Sequence, residues 1–157
     1  MRSKEMAFGS IYSAISLILI VISFFFSNDL FFLMAASLPL IMLVDQFGKK
    51  TAVFSYAVIS TVAFLIFPLQ ISSMAFIIIF GPFAILRSFF TGRKAFIINF
   101  IMLVGLSLIF YFLMMNLIKI NLKYTLPYML FSILMLLIYE LFCEYFSRWY
   151  RNLKKRF

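Results

Sequence analysis

The chain has 157 residues, of which 66% are apolar and only 12% are charged, whereas soluble domains are about 45–50% apolar and about 25% charged. This composition excludes a soluble globular domain and predicts a single all-α integral membrane domain over residues 1–157. The net charge of +9 does not indicate nucleic-acid binding, because nearly all basic residues stand in short loops or tails beside apolar runs, where they set topology and contact anionic lipids.

Six apolar runs follow one another along the chain. They predict helices at about residues 6–26, 30–44, 51–67, 71–90, 95–118 and 124–146. A basic cytoplasmic tail is predicted at 147–157. The first run follows a charged start, as in a signal peptide, but it is too long for the apolar region of one and no small-residue cleavage site follows it. We therefore expect a retained membrane helix there.

The first half of the first predicted helix is rich in small residues. Gly9 and Ser13 are four positions apart, as are Ser10 and Ala14, so each pair shares one side of the helix. Such small-xxx-small pairs allow another helix to approach closely. Two interpretations stay open for these four residues: ordinary packing within this protein, and a docking face for a different subunit.

The second and fourth predicted helices carry proline. The second run, 30–44, contains Pro39 and is short for a membrane span, which predicts a tilted helix or one partly buried by its neighbours. The fourth run is interrupted by Gly81 and Pro82, a dipeptide that favours a kink and that membrane helices tolerate where neighbouring groups satisfy the freed carbonyls. It stops at Arg87, and the basic cluster that follows marks a cytoplasmic end.

The distribution of basic residues predicts the topology. With the N-terminus inside and six spans, 12 of the 14 Lys and Arg residues fall on inner segments, and only Lys119 and Lys123 fall outside. Basic residues are concentrated on the cytoplasmic side of membrane proteins. We therefore expect six transmembrane helices with both termini in the cytoplasm. A five-span alternative without the second helix places basic residues on both sides.

Few groups in the chain are capable of chemistry. There is no histidine and a single cysteine, Cys143, and there is no glycine-rich phosphate loop or paired-cysteine motif. We therefore expect no enzyme, no cofactor and no metal site. Glu140 and Glu144 share one face of the sixth predicted helix, and Arg87 and Arg148 are expected at a similar depth, where they could pair with them. Structural ion pairs among these residues are the favoured interpretation, with a proton or cation site as the alternative.

Another set of polar residues is expected near the outer side of the membrane. Lys119 and Lys123 depart from the charge rule, so they either attract an anionic ligand or snorkel as loop lysines. If the protein binds a solute, the candidate substrate-binding residues are Asn28, Gln70, Asn116, Lys119, Lys123 and Tyr128.

Four features of the chain together resemble one family of membrane proteins. They are six short helices with both ends inside, a small-residue first helix, a proline-bearing second helix before Phe47-Gly48, and the segment Phe80-Gly81-Pro82-Phe83 in the fourth. The resemblance is to the S component, the substrate-binding subunit of energy-coupling factor (ECF) vitamin transporters. In that family an Ala-x-x-x-Ala face of the first helix contacts the coupling subunit. Here the nearest match runs from Ser10 to Ala14, with serine in place of the first alanine.

The resemblance implies an S-component-like bundle in the plasma membrane of a bacterium. Such a protein binds a small solute at its outer face and relies on a transmembrane coupling subunit and two ATPases for transport. None of the family's substrate-specific motifs is present, so no particular solute is implied. The alternative is a non-transporting membrane scaffold or an envelope-morphogenesis protein. The rod-shape-determining membrane protein is similar in size and span count, although the aspartate expected in its third helix is absent here.

Overall fold

The computed structural model describes residues 3–26, 29–68, 70–90, 95–118 and 125–154. Every regular element in these ranges is a helix, which confirms the predicted all-α fold for them. The helices are α1 (Ser3–Phe25), α2 (Asp29–Phe47), α3 (Lys49–Ile66), α4 (Ile71–Phe89), α5 (Ala95–Ile118) and α6 (Thr125–Lys154).

The helices belong to two compact units. Unit 1, Met1–Phe89, contains α1 to α4, and unit 2, Phe90–Phe157, contains α5 and α6. That the two units form one membrane domain stays a prediction.

Five helices in the described part of the chain, α1 to α5, are long and apolar enough to cross a bilayer. The 23 residues of α1 span about 34 Å, enough to cover a hydrocarbon core of about 30 Å. Large apolar side chains lie exposed on these helices, including Phe25 at 73% and Phe112 at 67% exposure, which suits contact with lipid rather than water. These are features of a multi-pass membrane protein. Since α6 is not among the five, the count of six spans stays a prediction, as does the location of the termini.

Two helices extend beyond their predicted C-terminal ends. The helix α2 continues past residue 44 through Asp45 and Gln46, and α6 continues past residue 146 to Lys154. Polar residues interrupt a hydropathy pattern without interrupting a helix, because Gln, Lys and Arg have high helix propensity and a single aspartate such as Asp45 is only mildly unfavourable in a helix. Apolar runs therefore indicate the lipid-embedded part of each helix, and the helix itself is longer.

In unit 1, α1 packs against α2 through small and aliphatic residues. The hydroxyl of Ser16 donates a hydrogen bond to the carbonyl oxygen of Ala36 at 2.8 Å, and both residues are buried. Ile20, Leu33 and Leu40 are buried as well. Serine and alanine allow the two backbones to approach closely enough for this interhelical bond, which is the mode of association expected where lipid removes the hydrophobic driving force.

Gly48 alone joins α2 to α3. Its φ of 87° and ψ of 175° lie in a region that is open essentially only to glycine. Its amide donates to the carbonyl oxygen of Val44 at 3.1 Å, and its own carbonyl accepts from Ala52 at 3.4 Å. The chain thus reverses direction at one residue, which places α3 beside the helices that precede it.

The helix α4 changes its winding along its length. It is α-helical over Ile71–Ala75, π-helical over Phe76–Phe80, α-helical again over Gly81–Leu86 and 3₁₀-helical over Arg87–Phe89. In the π-helical stretch the amide of Gly81 donates to the carbonyl oxygen of Phe76. The irregularity expected from the Gly-Pro dipeptide therefore takes the form of one widened turn directly before it.

Candidate functional site

The four small residues of α1 that were candidates for docking divide between two environments. Gly9 and Ser13 are buried, whereas Ser10 and Ala14 are exposed. A β-carbon added to Gly9 would lie 3.3 Å from the hydroxyl oxygen of Ser55 and 3.8 Å from the methyl carbon of Thr51, both on α3. Gly9 therefore serves packing within unit 1, and Ser10 and Ala14 remain on an open surface beside it.

A groove lies between α1 and α3 where these small residues meet, with a cavity of about 270 Å³. Six residues of α1 and three of α3 form its walls: Met6, Gly9, Ser10, Ser13, Ala14, Leu17, Phe54, Ser55 and Val58. None of these nine side chains is charged. We call this surface the α1/α3 groove.

The serines of the α1/α3 groove differ in their exposure. Ser10 is exposed and donates to the carbonyl oxygen of Met6, one turn earlier, at 2.9 Å. Ser13 and Ser55 are 7% and 3% exposed. The groove is therefore bordered by one open serine and two that neighbouring residues of unit 1 cover.

Of the six residues predicted to bind a solute, the structure describes the side chains of two, Gln70 and Asn116. Gln70 stands directly before α4, where its carbonyl oxygen accepts from the hydroxyl of Ser73 at 3.0 Å. Asn116 is exposed near the end of α5, in the other unit. Asn28, Lys119 and Lys123 lie outside the described residues, and the side chain of Tyr128 does so too. The solute site therefore stays a prediction.

The predicted ion-pair residues occupy both units. On α6 Arg148 forms an ion pair with Glu144, one turn away on the same helix. Arg87 belongs to unit 1, in the last turn of α4. Its pairing with Glu140 or Glu144 stays a prediction.

Glu140 takes part in the packing of unit 2. It is fully buried on α6, and its Oε1 accepts a hydrogen bond from Nδ2 of Asn99 on α5 at 3.3 Å. Asn99 is 3% exposed. An amide that pairs with a carboxylate across two helices stabilises their contact in lipid. The described residues include no group of three or more histidine, cysteine or acidic side chains that is arranged to hold a metal ion.

Sequence reasoning found the α1 wall of the groove but missed the α3 wall. The signal was present, since Thr51, Ser55, Ile59 and Ala63 recur every four residues and all are buried. The periodicity of α3 identifies this face, but it does not say which helix lies opposite. The close approach of Gly9 to Ser55 depends on that neighbour, so it is not readable from the sequence.

No protein-family model, no curated protein and no solved structure matches the chain. The likeness to S components remains an expectation from the sequence.

Proposed function

We propose that this protein is an S-component-like subunit of a bacterial plasma-membrane transporter, with six spans and both termini in the cytoplasm. It captures a small solute at the outer face, and the α1/α3 groove docks it onto a coupling subunit that carries two ATPases. The observation that supports docking is the groove itself, where exposed Ser10 and Ala14 border buried Gly9 and Ser13. Small side chains let a partner helix come close enough for extensive van der Waals contact.

Filling the groove tests the docking role. Ala14→Trp places a bulky ring on the groove wall, and we expect it to abolish recovery of the coupling subunit and ATPases in a mild-detergent pull-down with mass spectrometry. The matched control is Ile18→Trp, because Ile18 is exposed on the same helix but does not line the groove. Normal complex formation by the Ala14→Trp protein would refute docking through this surface.

Solute capture is tested separately at the predicted outer face. The positive charges of Lys119 and Lys123 favour an anionic solute. A double variant, Lys119→Ala with Lys123→Ala, is expected to reduce uptake while leaving complex formation intact. Unchanged uptake by this variant removes the anion proposal and leaves the docking proposal in place.

A non-transporting scaffold for envelope assembly is the second candidate function. The observation that favours it is the length of α6, whose 30 residues reach about 45 Å and continue through Arg148 and Arg151 to Lys154. A basic helical extension of this kind suits recruitment of acidic partners at the inner face. The same pull-down separates the two functions: envelope-assembly or division proteins without ATPases would support the scaffold.

A further inference from the structure

We infer that the C-terminal part of α6 binds anionic phospholipid at the membrane surface: a row of aromatic rings contacts the acyl chains, and the basic residues that follow bind lipid phosphates. The row consists of Phe142, Phe146 and Trp149, and the basic residues belong to positions 147–154, which we call the α6 extension. The inference goes beyond the proposed transport function and does not depend on it. It rests on the length of α6, on the exposure of the aromatic row and on the charge of the extension.

The length of α6 exceeds the hydrocarbon thickness of a bilayer. Its 30 residues reach about 45 Å, whereas a hydrocarbon core is about 30 Å thick and a bilayer with its headgroup layers is about 40–45 Å thick. The apolar run of this helix ends at residue 146, so the α6 extension reaches about 12 Å beyond that run. With the apolar run at the level of the acyl chains, the extension lies at the level of the headgroups.

A row of aromatic rings crosses the boundary between the apolar run and the α6 extension. Phe142, Phe146 and Trp149 follow one another at intervals of four and three residues, which places them on one side of the helix. The ring centroids of Phe142 and Phe146 are 6.2 Å apart, and those of Phe146 and Trp149 are 6.0 Å apart. Phe142 and Trp149 are 51% and 50% exposed. Aromatic side chains such as tryptophan are enriched at the level of a membrane where acyl chains border the headgroups.

The α6 extension itself is basic. Arg148, Arg151 and Lys154 follow one another at intervals of three residues, and the extension contains no acidic residue. Arg148 is paired with Glu144 and its side chain is 71% exposed, so this ion pair balances one of the three positive charges. Basic residues close to a membrane surface attract anionic phospholipids, whose phosphates lie at this level.

Lipid accounts for both features of this surface, and a soluble acidic partner accounts for only one. An acidic protein matches the positive charges, but it leaves the aromatic row exposed at the base of the extension. Helices with Trp and Phe on one side and Lys and Arg on another are typical of membrane interfaces. A headgroup layer offers phosphates beside acyl chains, so basic side chains and aromatic rings find favourable surroundings together.

The single tryptophan of the chain, Trp149, makes the depth of this surface measurable in the unmodified protein. The full-length protein is reconstituted in phosphatidylcholine vesicles. The fluorescence of Trp149 is then quenched either by acrylamide in the water or by phosphatidylcholine brominated at a defined acyl position. We expect weak quenching by acrylamide, and stronger quenching by bromines near the headgroup end of the acyl chain than by bromines near its methyl end.

The preference for anionic lipid is measured with the same signal. Brominated phosphatidylglycerol is compared with brominated phosphatidylcholine at equal mole fraction. We expect roughly fivefold stronger binding of the anionic lipid beside Trp149, because one basic residue at a membrane surface contributes about that factor. Raising the salt concentration should weaken this preference, since salt screens exposed charges.

Removal of positive charge locates the effect in the α6 extension. Arg151→Gln combined with Lys154→Gln is expected to lower the lipid preference about twofold or more. Lys4→Gln combined with Lys50→Gln is the matched control, because it removes the same charge from two exposed lysines of unit 1 and should leave the preference beside Trp149 unchanged. Circular dichroism checks that each variant keeps its helix content.

Three results would overturn the inference. Strong quenching by acrylamide with little quenching by brominated lipid would place the α6 extension in water, as the scaffold function requires. Equal quenching by the two brominated lipids would show that no anionic lipid is preferred. A preference that the charge variant keeps, or that the control loses equally, would place the anionic lipid elsewhere. None of these results affects the pull-down of the coupling subunit, so the docking function is tested independently.

Discussion

Gly81 lies so close to the ring of Tyr56 that no side chain fits between them. A β-carbon at this position would lie 2.3 Å from Cε2 and 2.6 Å from Cδ2 of Tyr56, and 3.1 Å from the carbonyl oxygen of Phe76. We expect Gly81→Ala to lower the free energy of unfolding by about 1–3 kcal/mol, because a packed ring and a helix backbone must both move. Detergent or urea titration followed by circular dichroism measures it.

A double-mutant cycle identifies the source of that cost. In a Tyr56→Ala background most of the steric conflict is gone, so Gly81→Ala should cost clearly less than in the unmodified protein. Equal costs in the two backgrounds would show that the ring of Tyr56 is not what excludes a side chain at position 81.

The hydroxyl of Tyr56 replaces a backbone donor in α4. It donates to the carbonyl oxygen of Ile77 at 2.7 Å. The amide of Gly81 bonds to Phe76 instead, and Pro82 has no amide hydrogen to offer. We expect Tyr56→Phe to lower the free energy of unfolding by about 1–3 kcal/mol, since the carbonyl loses a donor inside the protein. The exposed Tyr145→Phe is the control, and a cost no larger than that of the control would contradict this role.

At the scale of the helix, the one-residue connection between α2 and α3 depends on backbone conformation alone. A β-carbon on Gly48 would meet nothing within 4 Å, yet its φ of 87° is unfavourable for any other residue. We expect Gly48→Ala to lower the free energy of unfolding by about 1–3 kcal/mol. Gly105→Ala on α5 is the matched control, because the added carbon also finds open space there and helical alanine is favoured over glycine. If Gly48→Ala leaves the free energy of unfolding unchanged, the connection can adopt another backbone conformation without strain.

The sequence predicts some properties of helices well and others poorly. Within the described part of the chain, α5 occupies the predicted residues 95–118, which form a predominantly apolar run. The widened turn of α4 was foreseen only as an irregularity at Gly81-Pro82. Its form depends on Tyr56, 21 residues before the carbonyl that it satisfies, and local patterns do not contain such a contact.

The same limit applies to the candidate groove and to the ion pairs. Spacing of four residues identified Gly9 and Ser13 as one face of α1, since that periodicity belongs to the helix itself. It could not assign Ser55 as the facing residue. Arg148 pairs with Glu144 on its own helix, because residues four positions apart on a helix are neighbours. This rule does not identify a partner for Arg87, since α4 contains no acidic residue.

At the scale of the whole molecule, the exposed apolar surface and the placement of charge have one physical cause. Side chains such as Leu65 and Ile101, at 73% and 64% exposure, are favourable only in contact with lipid. Basic residues are then restricted to the ends of the helices and to the segments between and beyond them, where headgroups and water solvate them. Composition therefore predicts the environment of this protein more firmly than it predicts the packing of its helices.

The predicted topology follows from that charge placement and is open to a direct test. With six spans, Ser3 and Arg156 face the cytoplasm and Lys119 faces outward. Single cysteines are introduced at these positions in a Cys143→Ser background, which removes the buried native thiol. We expect a membrane-impermeant maleimide to label Lys119→Cys on intact cells, and to label Ser3→Cys and Arg156→Cys only after permeabilisation. Labelling of Arg156→Cys but not Ser3→Cys from outside would show an odd number of spans. Because basic residues would then lie on both sides, the positive-inside distribution could no longer explain the orientation of this protein.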